Sequence, residues 1–169
     1  MAVNAVELVV DEEGNAAPRL NDVAFTPEDA LKYHEILLRE VVRMLCAGII
    51  HGDLSEFNIL LACDGPVIID LPQAVDAAGN NHAEDMLARD VNNLRDYFGC
   101  FAPELLTTQY AKEIWDLFSH GNLTIDTPLT GRFRESTKAV DLKTVMRVID
   151  DVRKEEEAKR LRLAELGIK

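Results

Sequence analysis

The chain has 169 residues, a net charge of −12 and a hydrophobic fraction of 47%. That length supports one domain with a real core, and the composition is that of a soluble globular protein. The acidic balance argues against a direct electrostatic grip on nucleic acid. No run of residues is apolar enough to span a bilayer, and the short N-terminal apolar patch lacks a basic lead and contains Glu7, unlike a secretory signal.

In chain order, Thr26-Pro27-Glu28-Asp29 marks a helix start: Thr caps, Pro takes the first turn, and acids meet the positive end of the helix dipole. Leu31, Leu38, Val41, Val42 and Leu45 recur at helical spacing, and Gly48 ends the helix before Ile49-Ile50-His51. His34 on this helix is expected at the surface or its boundary. Asn58-Ile59-Leu60-Leu61 and Val67-Ile68-Ile69 read as short strands of a hairpin, with the turn signal Asp64-Gly65 between them. Asn81, with Glu84 three residues on, predicts a capped helix from about His82 to Phe98, carrying Met86, Leu87, Val91, Leu94 and Phe98 on its apolar face. Asp90 interrupts that face.

Ala102-Pro103-Glu104 imitates a protein-kinase motif, but it follows a whole helix, and Pro with Glu is ordinary helix-start chemistry. Leu105, Leu106, Ala111, Ile114, Trp115 and Phe118 predict one further core-facing helix ending near Gly121. Residues 122–138 read as loop, Asp141 caps a last helix with Leu142, Val145, Met146, Ile149 and Val152 inward, and 153–169 form a charged helical tail. Cys46, Cys63 and Cys100 lack C-x-x-C spacing and are expected as reduced thiols in or near the core of a cytoplasmic protein.

The chemistry concentrates in His51-Gly52-Asp53-Leu54-Ser55-Glu56-Phe57-Asn58 and in Asp70 after the next apolar run. An Asp, an Asn five residues later and a second Asp beyond a hairpin form the acidic trio of a kinase-type phosphotransfer site. That reaction needs a carboxylate to orient the accepting hydroxyl, plus an amide oxygen and another carboxylate to hold Mg²⁺ against the nucleotide phosphates. The hairpin should bring Asn58 and Asp70 to one end. His51 is expected to pack beneath the loop and bond to backbone rather than act as a base.

These residues, with Ile69-Asp70-Leu71-Pro72-Gln73-Ala74-Val75, resemble the RIO family of atypical serine kinases and ATPases, most closely its bacterial members. Ordinary protein kinases differ at three places: they carry Arg at the position of Gly52, Lys at that of Ser55 and Phe-Gly at that of Leu71-Pro72. The resemblance runs, more weakly, from about Glu7 to about Val152. It implies Asp53 as the catalytic aspartate and Asn58 and Asp70 as Mg²⁺ ligands. It further implies Asp70 as the carboxylate that becomes phosphorylated during ATP hydrolysis, with Ser55 near the transferring phosphate. Glu7-Leu8-Val9 resembles the hinge that offers backbone groups to adenine, which makes Glu7 and Val9 nucleotide-binding candidates. By the same analogy, Asp90 holds the catalytic loop through its backbone N–H groups. The short Ala77-to-His82 loop, with Gly52 in place of the Arg that would receive a phosphate, implies no activation-loop switch.

The expected fold class is α+β, mainly α: a protein-kinase-like C-terminal lobe of helices plus a small catalytic β-hairpin, without its N-terminal lobe. Residues 1–152 would form the lobe, with 1–24 as hinge remnant and following loop. The sequence holds no Gly-x-Gly run and no Val-Ala-x-Lys strand before Glu7. Losing the lysine partner of a desolvated phosphate costs about 2–5 kcal/mol, or roughly 30-fold to several thousandfold, so weak or no independent turnover of ATP is expected. Two alternatives stand beside the RIO-type kinase or ATPase. One is a non-catalytic interaction module, able to form a homodimer through the exposed floor of the cleft. The other is a small-molecule phosphotransferase, which shares His-Gly-Asp; Ser55-Glu56-Phe57 and Pro72-Gln73 argue against it. The protein substrate cannot be read from the chain.

Overall fold

Helix α1, Pro27–Cys46, begins where the cap chemistry places it. The Thr26 hydroxyl oxygen accepts the Asp29 N–H at 3.1 Å, and Pro27 fills the first turn. Its buried face comprises Ala30, His34, Leu37, Leu38, Val41, Val42 and Leu45, a run at intervals of three and four that turns one stripe inward. His34 is therefore a core residue, 2% exposed, and not the boundary residue its polarity predicted. Leu31, expected inward, lies at the edge of the buried face and is partly exposed. Gly48, at φ +81°, ends the helix and turns the chain into β1, Ile49–Ile50.

The computed structural model describes residues 10, 11 and 13–133. Among them are two small antiparallel sheets: β1 with β4 (Val75–Asp76), and the hairpin β2 (Ile59–Ala62) with β3 (Gly65–Ile68). Hairpin register pairs Ile59 with Ile68 and Ala62 with Gly65, so Cys63-Asp64 makes the turn. Gly65 and Pro66, expected in the turn, belong to β3.

Helix α2 spans Ala83–Gly99 and buries Leu87, Asp90, Val91, Leu94 and Phe98. Its entry is fixed by the Asn80 side chain, whose Oδ1 accepts the His82 N–H at 2.8 Å; Asn81, the expected cap, does not serve. The next expected helix is divided. Pro103–Thr107 is a 3₁₀ helix, Thr108 is extended, and α3 runs Tyr110–Ser119. The break leaves Leu106 half exposed while Leu105, Ala111 and Ile114 pack inward.

The helices close on a continuous apolar core in which Leu20, Leu37, Leu45, Leu54, Ile59 and Phe98 are fully buried. Each such side chain is worth about 1.5–3 kcal/mol when removed from water. Phe25 stands edge-on to Phe101 at 5.6 Å and tilts against Phe98 at 5.8 Å. The Tyr97 hydroxyl donates to the Leu20 carbonyl at 2.6 Å, tying the N-terminal segment to α2. Cys46, Cys63 and Cys100 are all exposed free thiols, a correction to the core placement expected for them. No helix among the described residues is long and apolar enough to cross a membrane. Helices with two small sheets agree with the α+β expectation at the level of class. Glu7 and Val9, the helix expected from Asp141 and the tail 153–169 lie outside the described residues.

Candidate active site

The loop from His51 to Asn58 leaves β1 and returns into β2, and side chains of α2 hold its backbone. The Asp90 carboxylate accepts the Gly52 N–H at 2.7 Å and the Leu54 N–H at 2.9 Å. Asn93 donates its side-chain N–H to the Leu54 carbonyl at 2.9 Å, and Arg89 donates to the Gly52 carbonyl. Both backbone groups of residues 52 and 54 are thus paired, while Asp53 between them is exposed. Burial holds the Asp90 carboxyl above the usual carboxylate range, against the two backbone N–H groups and the charges of His51 and Arg89. Asp90 is 1% exposed, so those N–H bonds are what make a carboxylate tolerable there.

Gly52 occupies φ +82°, and a Cβ on it would stand 2.6 Å from Met86 Cε and 3.2 Å from the Gln73 carbonyl oxygen. No larger residue suits that turn without strain. This is the structural reason for a glycine at the place where ordinary kinases carry arginine. His51 is 2% exposed and its Nε2 pairs with the Ile69 carbonyl at 3.0 Å, which is the packing and backbone-bonding role expected of it. That bond joins the loop to the strand leading into Asp70.

Asn58 ends a 3₁₀ turn, Glu56–Asn58, whose N-cap is Ser55. The Asn58 Nδ2 group donates to the Asp53 carbonyl at 2.8 Å. Since a carbonyl oxygen can be met only by the NH₂ end of the amide, the Oδ1 end of Asn58 is left for another partner. The Asn58 carbonyl accepts the Ile69 N–H at 2.9 Å, which brings Asn58 beside the residue preceding Asp70. Asp70 is exposed and adopts φ 66°, ψ 52°, the one non-glycine residue with positive φ among those described. Such a conformation costs of order 1 kcal/mol and turns the chain sharply out of β3.

Two exposed carboxylates and a fixed amide oxygen are hard oxygen donors of the kind Mg²⁺ takes, usually with several waters retained. Among the described residues no group of three or more His, Cys, Asp or Glu side chains gathers as a metal site, and this trio includes an amide in place of a third such residue. Sequence reasoning singled out Asp53, Ser55, Asn58, Asp70 and Asp90 but not Arg89 or Asn93. The available signal was the polar set at 89, 90 and 93, spaced to share one side of the helix.

A loop aspartate pinned at both neighbours, an asparagine tied back to it and a second aspartate across a hairpin make up the catalytic-loop pattern of kinase-like proteins. The family model described as "RIO domain" matches residues 3–111, and the chain belongs to that family. A RIO-type serine/threonine-protein kinase, Rio1 of Haloferax volcanii, is 38% identical over 90 residues, covering 53% of this chain and 29% of that protein. Serine/threonine-protein kinase RIO3 of Caenorhabditis elegans is 30% identical over 141 residues, covering 78% and 27%. Rio2 of Methanocaldococcus jannaschii is 51% identical over 63 residues, covering 37% and 23%. The chain therefore spans under a third of the length of these relatives.

Proposed function

We propose that these residues form the acidic half of a Mg-ATP phosphotransfer site, in a serine/threonine kinase or ATPase of RIO type. The observation that carries this reading is the exposed Asp53 held between two residues whose backbone groups are all bound by α2. Asp53 would accept the hydrogen bond of the attacking hydroxyl and orient its oxygen toward the γ-phosphorus. Asn58 Oδ1 and the Asp70 carboxylate would hold Mg²⁺, which when bound offsets the charge of the phosphate oxygens. In the ATPase variant Asp70 itself attacks the γ-phosphorus: its O–P bond forms as the bond to ADP breaks, and water later releases phosphate. Ser55, at the head of the 3₁₀ turn, lies on the same loop and would face the transferring group. Glu7 and Val9 would contribute backbone groups to adenine. The site belongs to a C-lobe-like unit, proposed to span residues 1–152 with 153–169 as a charged tail, in a cytoplasmic protein.

These 169 residues contain no glycine-rich phosphate loop, so they are expected by themselves to bind ATP weakly and turn it over slowly or not at all. The test is a thermal melt with and without Mg-ATP, combined with single-turnover phosphate release. A rise in Tm that needs both Mg²⁺ and nucleotide, and that Asp70→Asn abolishes, supports the reading. A melt blind to Mg-ATP at millimolar concentration would overturn it.

A second reading draws on Phe57 and Leu71, each 51% exposed and each adjacent to a site residue. An interaction module, including a self-associating one, would bury them. Sedimentation that finds a tight dimer indifferent to nucleotide favours that reading over the enzyme.

A further inference from the structure

A cavity of about 360 Å³ opens between α1, α3 and the segment leading to Leu129. It shares no residue with the 51–58 loop or with Asp70. Its volume falls within the range of small-molecule sites. Leu31, Leu38, Leu105 and Leu129 give it an apolar wall. His34 and Tyr110 also line it, their rings 5.6 Å apart. His34 is almost wholly buried, yet its Nε2 meets no hydrogen-bond partner among the described residues. Buried polar atoms are nearly always paired, and this orphan belongs to a residue that lines the cavity.

Charge narrows what that partner is. Burial lowers the His34 pKa to about 4, slightly countered by Glu35, so the ring is neutral at pH 7 and has one donor and one acceptor nitrogen. Glu35 and Arg39, also lining the cavity, pair with each other at 2.8 Å and cancel. Among the described residues, neither an anion nor a cation finds an unpaired counter-charge there. An uncharged group that can both give and take a hydrogen bond suits the imidazole in either tautomer, and a hydroxyl is the simplest such group.

We propose that this cavity binds a small, uncharged, mostly apolar molecule carrying a hydroxyl, an alcohol or phenol, hydrogen-bonded to His34 Nε2. The site is independent of the phosphotransfer reading and stands or falls without it.

The experiment titrates the full chain with 4-ethylphenol and with ethylbenzene, which differ by the hydroxyl alone. NMR would follow the His34 ring nitrogens and the methyl groups of Leu31, Leu38 and Leu105. The expected result is saturable binding of both, with the phenol roughly three- to tenfold tighter and alone displacing the Nε2 resonance. In His34→Phe the ethylbenzene affinity is retained and the preference for phenol disappears. Leu31→Trp, which fills the mouth from a partly exposed position, removes binding of both. Equal affinities in the natural protein, a preference that survives in His34→Phe, binding that persists in Leu31→Trp, or no shift at millimolar probe would each overturn the proposal.

Discussion

The side-chain NH₂ of Asn58 donates to the backbone carbonyl of Asp53 at 2.8 Å, so the two residues proposed for metal binding and for catalysis are joined through the loop that carries them. The bond closes a turn of six residues, Asp53 to Asn58, and sets which end of the amide is free. Asn58→Asp keeps the shape but sets a carboxylate oxygen against a carbonyl oxygen. A stability loss of about 1–3 kcal/mol is expected from the lost bond and the unpaired acceptor. Urea denaturation measures it, and an unchanged midpoint would contradict the arrangement.

Asp90 receives two backbone N–H groups in a buried setting. Asp90→Ala leaves both donors without a partner, and a cost of about 2–4 kcal/mol follows after allowing for the relief of no longer burying a carboxylate. Amide hydrogen exchange at Gly52 and Leu54 should accelerate more than that of the α1 interior. Uniform acceleration across the molecule would mean that Asp90 is merely part of the core.

His34 gives a pH dependence of definite sign. Its pKa in the folded chain is lowered to about 4, from an ordinary 6.5, because burial disfavours the charged ring. The unfolded chain therefore binds the proton more readily, and stability falls as pH drops below 6.5 until the folded pKa is reached. The loss is of order 2 kcal/mol by pH 5. His34→Phe removes this contribution, so the stability difference between the two proteins should change over that window and be flat above it. Parallel curves between pH 6.5 and 4 would refute the assignment.

Asp70 holds a left-handed conformation that glycine adopts without cost. Asp70→Gly should leave stability within about 1 kcal/mol of the natural protein, the relief of strain offsetting the added freedom of the unfolded chain. Any Mg-ATP-dependent rise in Tm should vanish in the same variant. A large destabilisation would show that the Asp70 side chain is a structural support.

What could be read from the sequence was local. The Thr26 cap, the end of α1 at Gly48, the hairpin and the 51–58 loop all follow from residues a few positions apart, and each has its chemistry written in neighbouring letters. His34 was misplaced by weighing its polarity above its position, although the steps 30, 34, 37, 41 and 45 put it on the buried stripe. The division at Thr108 was hidden because Leu105, Leu106 and Ala111 fit a helical period without forming one helix. Pairing of β1 with β4 and the contacts of Arg89 and Asn93 join segments far apart in the chain, where periodicity carries no information. Asp90 was legible as an interruption of an apolar face, and only analogy connected it to the loop.

The four bonds that shape residues 52 and 54 reach forward 36 to 39 positions along the chain. A growing polypeptide that has emerged only as far as the hairpin has the His51 and Asn58 bonds of the loop but lacks Arg89, Asp90 and Asn93, which pin residues 52 and 54. The native shape of residues 52 and 54 thus depends on the docking of α2, a contact of high sequence separation. A cavity-forming substitution at Leu87 or Leu94, both fully buried, should loosen the loop by loosening the helix that grips it.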